Sequence, residues 1–514
     1  MYVMVNVAEN NKRIAKNTLL LYVRTLLMIL INLYTQRVVL NTLGVEDFGI
    51  NNVVAGVITM LGFLNASLGA ASSRYITYDL GRGDLNAMKK TFGNILSLYT
   101  LLAVLVLILG ETLGLWFMTT QLHIPSEREF AAFWVYQFSI LSFLCSMTNV
   151  PYNSLIIAHE RMSAFAYIGI GDAILKLLVA FILLGVSYDK LITYAALLLG
   201  IQLFDRIIYR WYCRKYFEES HTSLTIDKGI FKEIFYFAGW TMNGNLAVIG
   251  FTQGLNVLLN IFFGPLINAA RGIAVQIQNV VMNFCVNFQM ALNPQLTKSY
   301  VAEDYAHMHQ LLKASSKYSF YLMLLICLPV MLEAHLILQW WLGVVPEHTV
   351  NFVRLILGYT LLYALSNPII ISVHATGRLK RFQLIEGGML LSIVPIAYIL
   401  LKCFHVPPES VFVVHLFVEI CTQIVRIQIV LPMIQMRVIE YIRGVAIPVL
   451  KVLFIAPILP IGVFISLNEG LGSFLIVCIV SVSCVLIVVY LLGSTAIERM
   501  FLKDKVYYLI RKLI

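Results

Sequence analysis

Asp172 and Lys176 stand four residues apart inside an apolar stretch, a spacing that puts both side chains on one face of a helix. Two readings of the pair are open. It neutralises itself and so lowers the cost of inserting the helix, or a substrate phosphate or a proton competes for it. Glu419 has His415 one turn before it and Arg426 two turns after, again on one face. Asp172 and Glu419 are therefore candidates for proton or sodium coupling, although a static network between helices would use the same residues. Arg24 and Arg271 are solitary. Arg24 follows Lys16 by eight residues with no acidic residue one turn away, and Arg271 comes shortly after Gly264-Pro265. A charge at the centre of a bilayer costs about 2.5–3.5 kcal/mol, so each of these needs a reason; pairing with backbone carbonyls is the plainest. Arg37, Arg354 and Lys451 sit near span ends, where long side chains snorkel. Glu111, Glu333 and His335 are expected to be exposed at outer span ends.

The elements that position these residues follow from composition. Of 514 residues, 60% are hydrophobic and 12% charged, and the mean hydropathy is +0.83. A soluble domain is about a quarter charged, so this is an integral membrane protein. The apolar runs reach the roughly 20 residues needed to cross ~30 Å of hydrocarbon, and they lack the alternation of a membrane strand. The expectation is an all-α polytopic fold with about fourteen spans, starting near residues 16, 49, 92, 130, 164, 190, 233, 266, 315, 350, 383, 411, 446 and 472. Spans one, two, seven and eight are unusually polar, with Asn32, Asn65, Asn243, Asn245, Gln253 and Asn279. These suit a wet cavity or hydrogen bonds between helices. Nothing before Lys16 reads as a cleavable signal.

Charge placement gives orientation. Basic residues crowd one set of connections: Arg74, Lys89, Arg161, Arg206, Arg210, Arg214, Lys317 and Arg378 are among 27 there, against Arg128, Lys190 and Lys402 opposite. By the positive-inside rule both termini are cytoplasmic, and the net charge of +10 reports topology rather than nucleic-acid binding. Six of the eight cysteines fall in apolar runs, and no CxxC or CxxH spacing occurs, so no metal site, disulfide or cofactor is expected. There is no GxxxxGKS loop for nucleotide hydrolysis, no nucleophile with a base, and no loop long enough for a catalytic domain, so the chain is not read as an enzyme.

The chain also repeats itself. Pro151, Ala158 and Arg161 recur 217 residues later as Pro368, Ala375 and Arg378. Leu40-Asn41 and Gly44 answer to Leu259-Asn260 and Gly264, and Asp84 and Met88 answer to Asp304 and Met308. A constant offset across several landmarks implies two related halves. The expected division is 1–225 and 226–443, two pseudo-symmetric six-helix lobes around a central cavity, with 444–514 as two further spans and a tail.

The opening KNTLLLYVRTLLMILINLYTQRVVLNTLGVEDFGINNVVAGV resembles the bacterial polysaccharide flippases of the multidrug/oligosaccharidyl-lipid/polysaccharide exporter superfamily. Ser72-Ser73-Arg74-Tyr75, LIIAHERMSAFAY and LNPQLTKSYVAED also look like that family. The resemblance implies a flippase that moves undecaprenyl-pyrophosphate-linked oligosaccharide across the bacterial inner membrane by alternating access, for O-antigen, capsule or exopolysaccharide synthesis. It implies that Arg24 and Arg271 contact the pyrophosphate, and that the partners are the lipid-linked oligosaccharide, membrane lipids, a coupling proton or sodium, and a polysaccharide polymerase complex. Lys176 joins the arginines as a candidate substrate contact. Competing readings are a peptidoglycan-precursor flippase, a cation-coupled multidrug exporter of the same superfamily, and a structural membrane scaffold. The exporter reading would want unpaired carboxylates, whereas here the solitary charges are arginines.

Overall fold

The computed structural model describes residues 2–59, 61–121, 124–343, 345–468, 470–495 and 498–500. The chain divides into two compact units, 1–246 and 247–514. Every described regular element is helical, as the lack of alternation in the apolar runs requires.

The first unit holds α1 (Tyr2–Thr59), α2 (Gly62–Arg82), α3 (Leu85–Leu109), α4 (Leu115–Gln121), α5 (Glu129–Ala158), α6 (Met162–Ile182), α7 (Lys190–Tyr216) and the start of α8 (Lys228–Phe263). A single π turn, Gly110–Gly114, joins α3 to α4, and the Tyr136 hydroxyl from α5 donates to the Gly110 carbonyl there at 2.7 Å. Such turns free a carbonyl, and the tyrosine satisfies it. Helix α1 packs on α6, and α5 packs on both α7 and α2.

The second unit holds α9 (Pro265–Val301), α10 (Tyr305–Leu332), α11 (Ala334–Leu342), α12 (Thr349–Thr376), α13 (Lys380–Leu391), α14 (Ile393–Phe404), α15 (Ser410–Met433), α16 (Val438–Tyr441), α17 (Ile447–Ile455), α18 (Ile458–Ser466) and α19 (Leu471–Val488). Helix α12 is central, packed on α9, α10 and α15. Lipid is as apolar as leucine, so polar contacts help fix such helices. Gln289 of α9 donates to Ser319 and to the Ala364 carbonyl, each at 3.0 Å, and accepts from Asn367 at 2.6 Å.

Among the described residues, twelve helical segments are long and apolar enough to cross a membrane. Helices α2 and α9 stand where the second and eighth spans are expected. They are as long as spans, but asparagine, glutamine and serine keep them below that apolarity. Some of this polarity serves helix contacts: Asn245 of α8 donates to Ser67 of α2 at 2.7 Å.

The repeat is written in the backbone. Gly44, inside α1, has φ 80° and ψ 169°, and Gly264, between α8 and α9, has φ 81° and ψ −176°. That region is essentially closed to residues with a Cβ, so the same glycine kink is built twice, 220 residues apart. Asp84 and Asp304 both cap the following helix, with positive φ one residue earlier at Gly83 and Glu303. The outer connections match at the same offset. Arg128 binds Asp189 at 2.6 Å, ahead of α7, and His348 binds Glu409 at 2.6 Å, ahead of α15.

Three expectations are corrected. Arg206, Arg210 and Arg214 lie on the last turns of α7 and not in a connection. Lys317 is buried on α10, bound to Glu498 at 2.9 Å beyond α19. Glu333 is buried rather than exposed.

Candidate functional site

In the first unit, the charges that the sequence presents separately come together between α1, α6 and α7. The Arg24 guanidinium lies 4.3 Å over the Phe165 ring. It fits because residue 169 is glycine; a Cβ there would stand 2.6 Å from the arginine Nε. That Nε is buried and has no acceptor. One turn further along α6, Asp172 and Tyr209 of α7 face the same arginine electrostatically. The carboxylate missing from Arg24's own helix is thus supplied by another.

Asp172 binds Lys176 through Oδ2 at 2.8 Å, as the i,i+4 spacing predicts. Its buried Oδ1 has no donor, and the Asp205 side chain of α7 stands within hydrogen-bonding range of Asp172. Two carboxyl groups in contact hold together only with a proton between them. The group therefore comprises two cations, two carboxyls and a tyrosine, drawn from three helices.

Lys176 also faces a cavity of about 300 Å³, entirely within the first unit. Asn51 of α1, Ser139, Ser142 and Ser146 of α5, and Gln202 of α7 line it. The three serines recur at i, i+3 and i+7, so they form one polar stripe on α5. Amides, hydroxyls and one ammonium can bind sugar hydroxyls or phosphate oxygens.

The second unit carries a different network. Arg426 of α15 donates from Nε to Glu386 of α13 at 2.6 Å and from Nη1 to Glu419, while Ser366 of α12 accepts from Nη1 at 2.9 Å. All four side chains are buried. Glu419 thus sits in a closed ion network, with one carboxylate oxygen, Oε2, left without a donor. His415 packs between Tyr359, 4.1 Å away, and Phe251, 4.9 Å away, rather than pairing with Glu419. Arg271 is buried, donating to the Asn256 side chain and, at 3.1 Å, to the Thr252 carbonyl. Its two terminal nitrogens are engaged by α8, and its Nε has no acceptor.

Sequence reasoning misses Asp205 and Glu386. A signal for both exists: Asp172 precedes Asp205 by 33 residues, and Glu386 precedes Glu419 by 33. Each unit therefore places one carboxyl pair at matching positions of two helices, partnered by Lys176 in one and Arg426 in the other.

No family model matches this chain, and no curated protein matches it. Solved structures do. A mutant MATE protein aligns with a TM-score of 0.72 at 15% identity, over 84% of this chain and 97% of the other. An outward-facing multidrug resistance MATE family transporter of the MOP superfamily gives 0.70 at 15% identity, over 84% and 96%. A MOP superfamily transporter from Pyrococcus furiosus, described by the reverse polarity of its binding pocket, gives 0.68 at 15% identity, over 84% and 96%. At such identities the likeness concerns architecture, and in architecture the chain has the fold of the MATE transporters of the MOP superfamily.

Proposed function

We propose that this protein is a flippase for undecaprenyl-pyrophosphate-linked oligosaccharide in the bacterial inner membrane, with its basic face and both termini cytoplasmic. The observation that carries this reading is Lys176, held between Asp172 and a cavity lined by serines and amides. A charged pyrophosphate with its glycan cannot cross hydrocarbon unaided, because its oxygens would lose their water. The cavity replaces that water with hydroxyl and amide groups. Lys176 supplies a point charge, and the unpartnered Nε of Arg24 supplies a directed donor nearby. A phosphate arriving at Lys176 competes with Asp172, and a proton shared with Asp205 compensates the released carboxylate. Alternating access delivers the glycan to the outer leaflet for a polysaccharide polymerase. The peptidoglycan precursor carries the same pyrophosphate and differs in its sugars.

Deleting the gene tests this directly: lipid-linked oligosaccharide should accumulate inside while surface polysaccharide falls. In the complemented strain, Lys176→Ala or Arg24→Ala should lower surface glycan at least tenfold at unchanged protein abundance. Arg24→Lys should restore it only in part, since the planar fork is lost. The likeness to a multidrug resistance transporter favours a cation-coupled drug exporter as the second reading. Normal surface glycan with raised sensitivity to cationic drugs in the deletion strain would select it.

A further inference from the structure

Arg206, Arg210 and Arg214 recur every fourth residue on α7, and all three are exposed. Their depth is unexpected for exposed cations. Arg206 lies ten residues before Tyr216, the end of α7, which at 1.5 Å per residue is about 15 Å. Thr148 lies ten residues before Ala158, the end of α5, again about 15 Å. The Arg206 guanidinium donates to the Thr148 hydroxyl at 2.8 Å. It is therefore held sideways at its own level and does not stretch toward the helix end as a snorkelling arginine would. Trp211 is an independent depth mark. It is exposed, with the Lys215 ammonium 5.1 Å from its ring, as in an aromatic belt at the headgroup level. Arg206 is five residues, or about 7.5 Å, deeper than that belt.

Nothing acidic neutralises the three. None has a carboxylate within salt-bridge distance among the described residues, and the adjacent Asp205 is buried toward Lys176. Tyr152 of α5 lies within the field of all three arginines. An exposed, unneutralised guanidinium below the headgroup level is stable only where water or an anion meets it. Steps of about 6 Å along one helix face make a ladder that a phosphate headgroup can descend while its tail stays in lipid.

We propose that Arg206, Arg210 and Arg214 form the entry track for the pyrophosphate of a lipid-linked glycan, from the cytoplasmic leaflet to the depth of Thr148. The inference rests on the flippase reading and extends it to a binding surface on α7, away from Lys176 and Arg24.

The test uses the full chain purified in detergent, with undecaprenyl pyrophosphate, phosphatidylglycerol and inorganic pyrophosphate as probes in native mass spectrometry. Wild type should bind undecaprenyl pyrophosphate at least tenfold more tightly than phosphatidylglycerol. Arg206→Gln should weaken the first at least tenfold and the second less than twofold, at unchanged melting temperature, and Arg206→Lys should recover only part of the loss. If wild type prefers undecaprenyl pyrophosphate and R206Q, R210Q and R214Q all bind it as wild type does, the track is refuted while the flippase reading stands. If the variants lose both lipids equally, the arginines are a general contact for anionic headgroups and the track is refuted. Equal displacement by inorganic pyrophosphate would assign the ladder to soluble anions and overturn it. A wild type without preference for undecaprenyl pyrophosphate overturns the track and the flippase reading together.

Discussion

At the scale of single residues, Arg426 separates structural from transport charges. It is the one cation binding two buried carboxylates, and removing it leaves Glu386 and Glu419 facing one another without compensation. Loss of one member of a buried ion network typically costs about 3–5 kcal/mol, whereas replacing the whole network by neutral groups costs far less. Arg426→Met should therefore lower the melting temperature of the detergent-purified protein sharply, and the triple variant R426M/E386Q/E419Q should recover most of the loss. Equal melting temperatures for the single and triple variants would show that the charges do not compensate each other. The Asp172–Lys176 pair is legible in the sequence because i,i+4 spacing is local information. The partners of Arg24 and Arg271 are not, since α6, α7 and α8 supply them from distant sequence. Glu386 and Asp205 lack any local partner, and only the repeat offset points to them.

At the scale of elements, the link between α7 and α8 is held down by residues that its composition does not announce. A polar run such as 217–227 reads as a loose connection. Yet Ser97 of α3 donates to the Thr225 carbonyl at 2.8 Å, and the Asp227 amide donates to Asn94 at 2.8 Å. His159, at the end of α5, stacks on Phe217 and binds Glu219 at 2.5 Å. Burial alone would raise the Glu219 carboxyl. The hydrogen bond from His159 and from backbone, with the charges of His159 and Lys89, outweighs burial and holds it below the ordinary carboxylate range. A carboxyl whose pKa is depressed by folding adds stability at pH values above its unfolded pKa of about 4.3, and that stability is lost as pH falls through the folded value. Glu219→Gln should thus lower the melting temperature at pH 7, and its difference from wild type should shrink below about pH 4. A difference that stays constant from pH 7 to pH 3 would mean that the ionised carboxylate does not hold the link. Span positions, by contrast, are legible almost throughout, because hydrophobic length is a property of each segment. The exceptions, α2 and α9, carry the polar residues that make contacts within the units.

At the scale of the whole molecule, the repeat builds the same plan twice and then charges it differently. The kinks at Gly44 and Gly264 and the caps at Asp84 and Asp304 share backbone geometry, but the carboxyl pairs do not share an environment. Glu386 and Glu419 are closed around Arg426, a cation that cannot deprotonate. Asp172 and Asp205 stand beside Lys176, which opens on a cavity. Only the pair beside Lys176 can change its protons as substrate comes and goes, so any energy coupling belongs to the first unit. One charge moved through 100 mV is worth about 2.3 kcal/mol, enough to bias a two-state equilibrium roughly fifty-fold. Flipping in proteoliposomes should therefore accelerate under an imposed proton or sodium gradient, and Asp172→Asn or Asp205→Asn should abolish the acceleration while leaving binding of undecaprenyl pyrophosphate within about threefold. Glu419→Gln should retain the gradient response and lose thermal stability instead. A gradient response that survives D172N and D205N but disappears in E419Q would move the coupling to the second unit. A wild-type rate indifferent to proton, sodium and voltage alike would make both pairs structural.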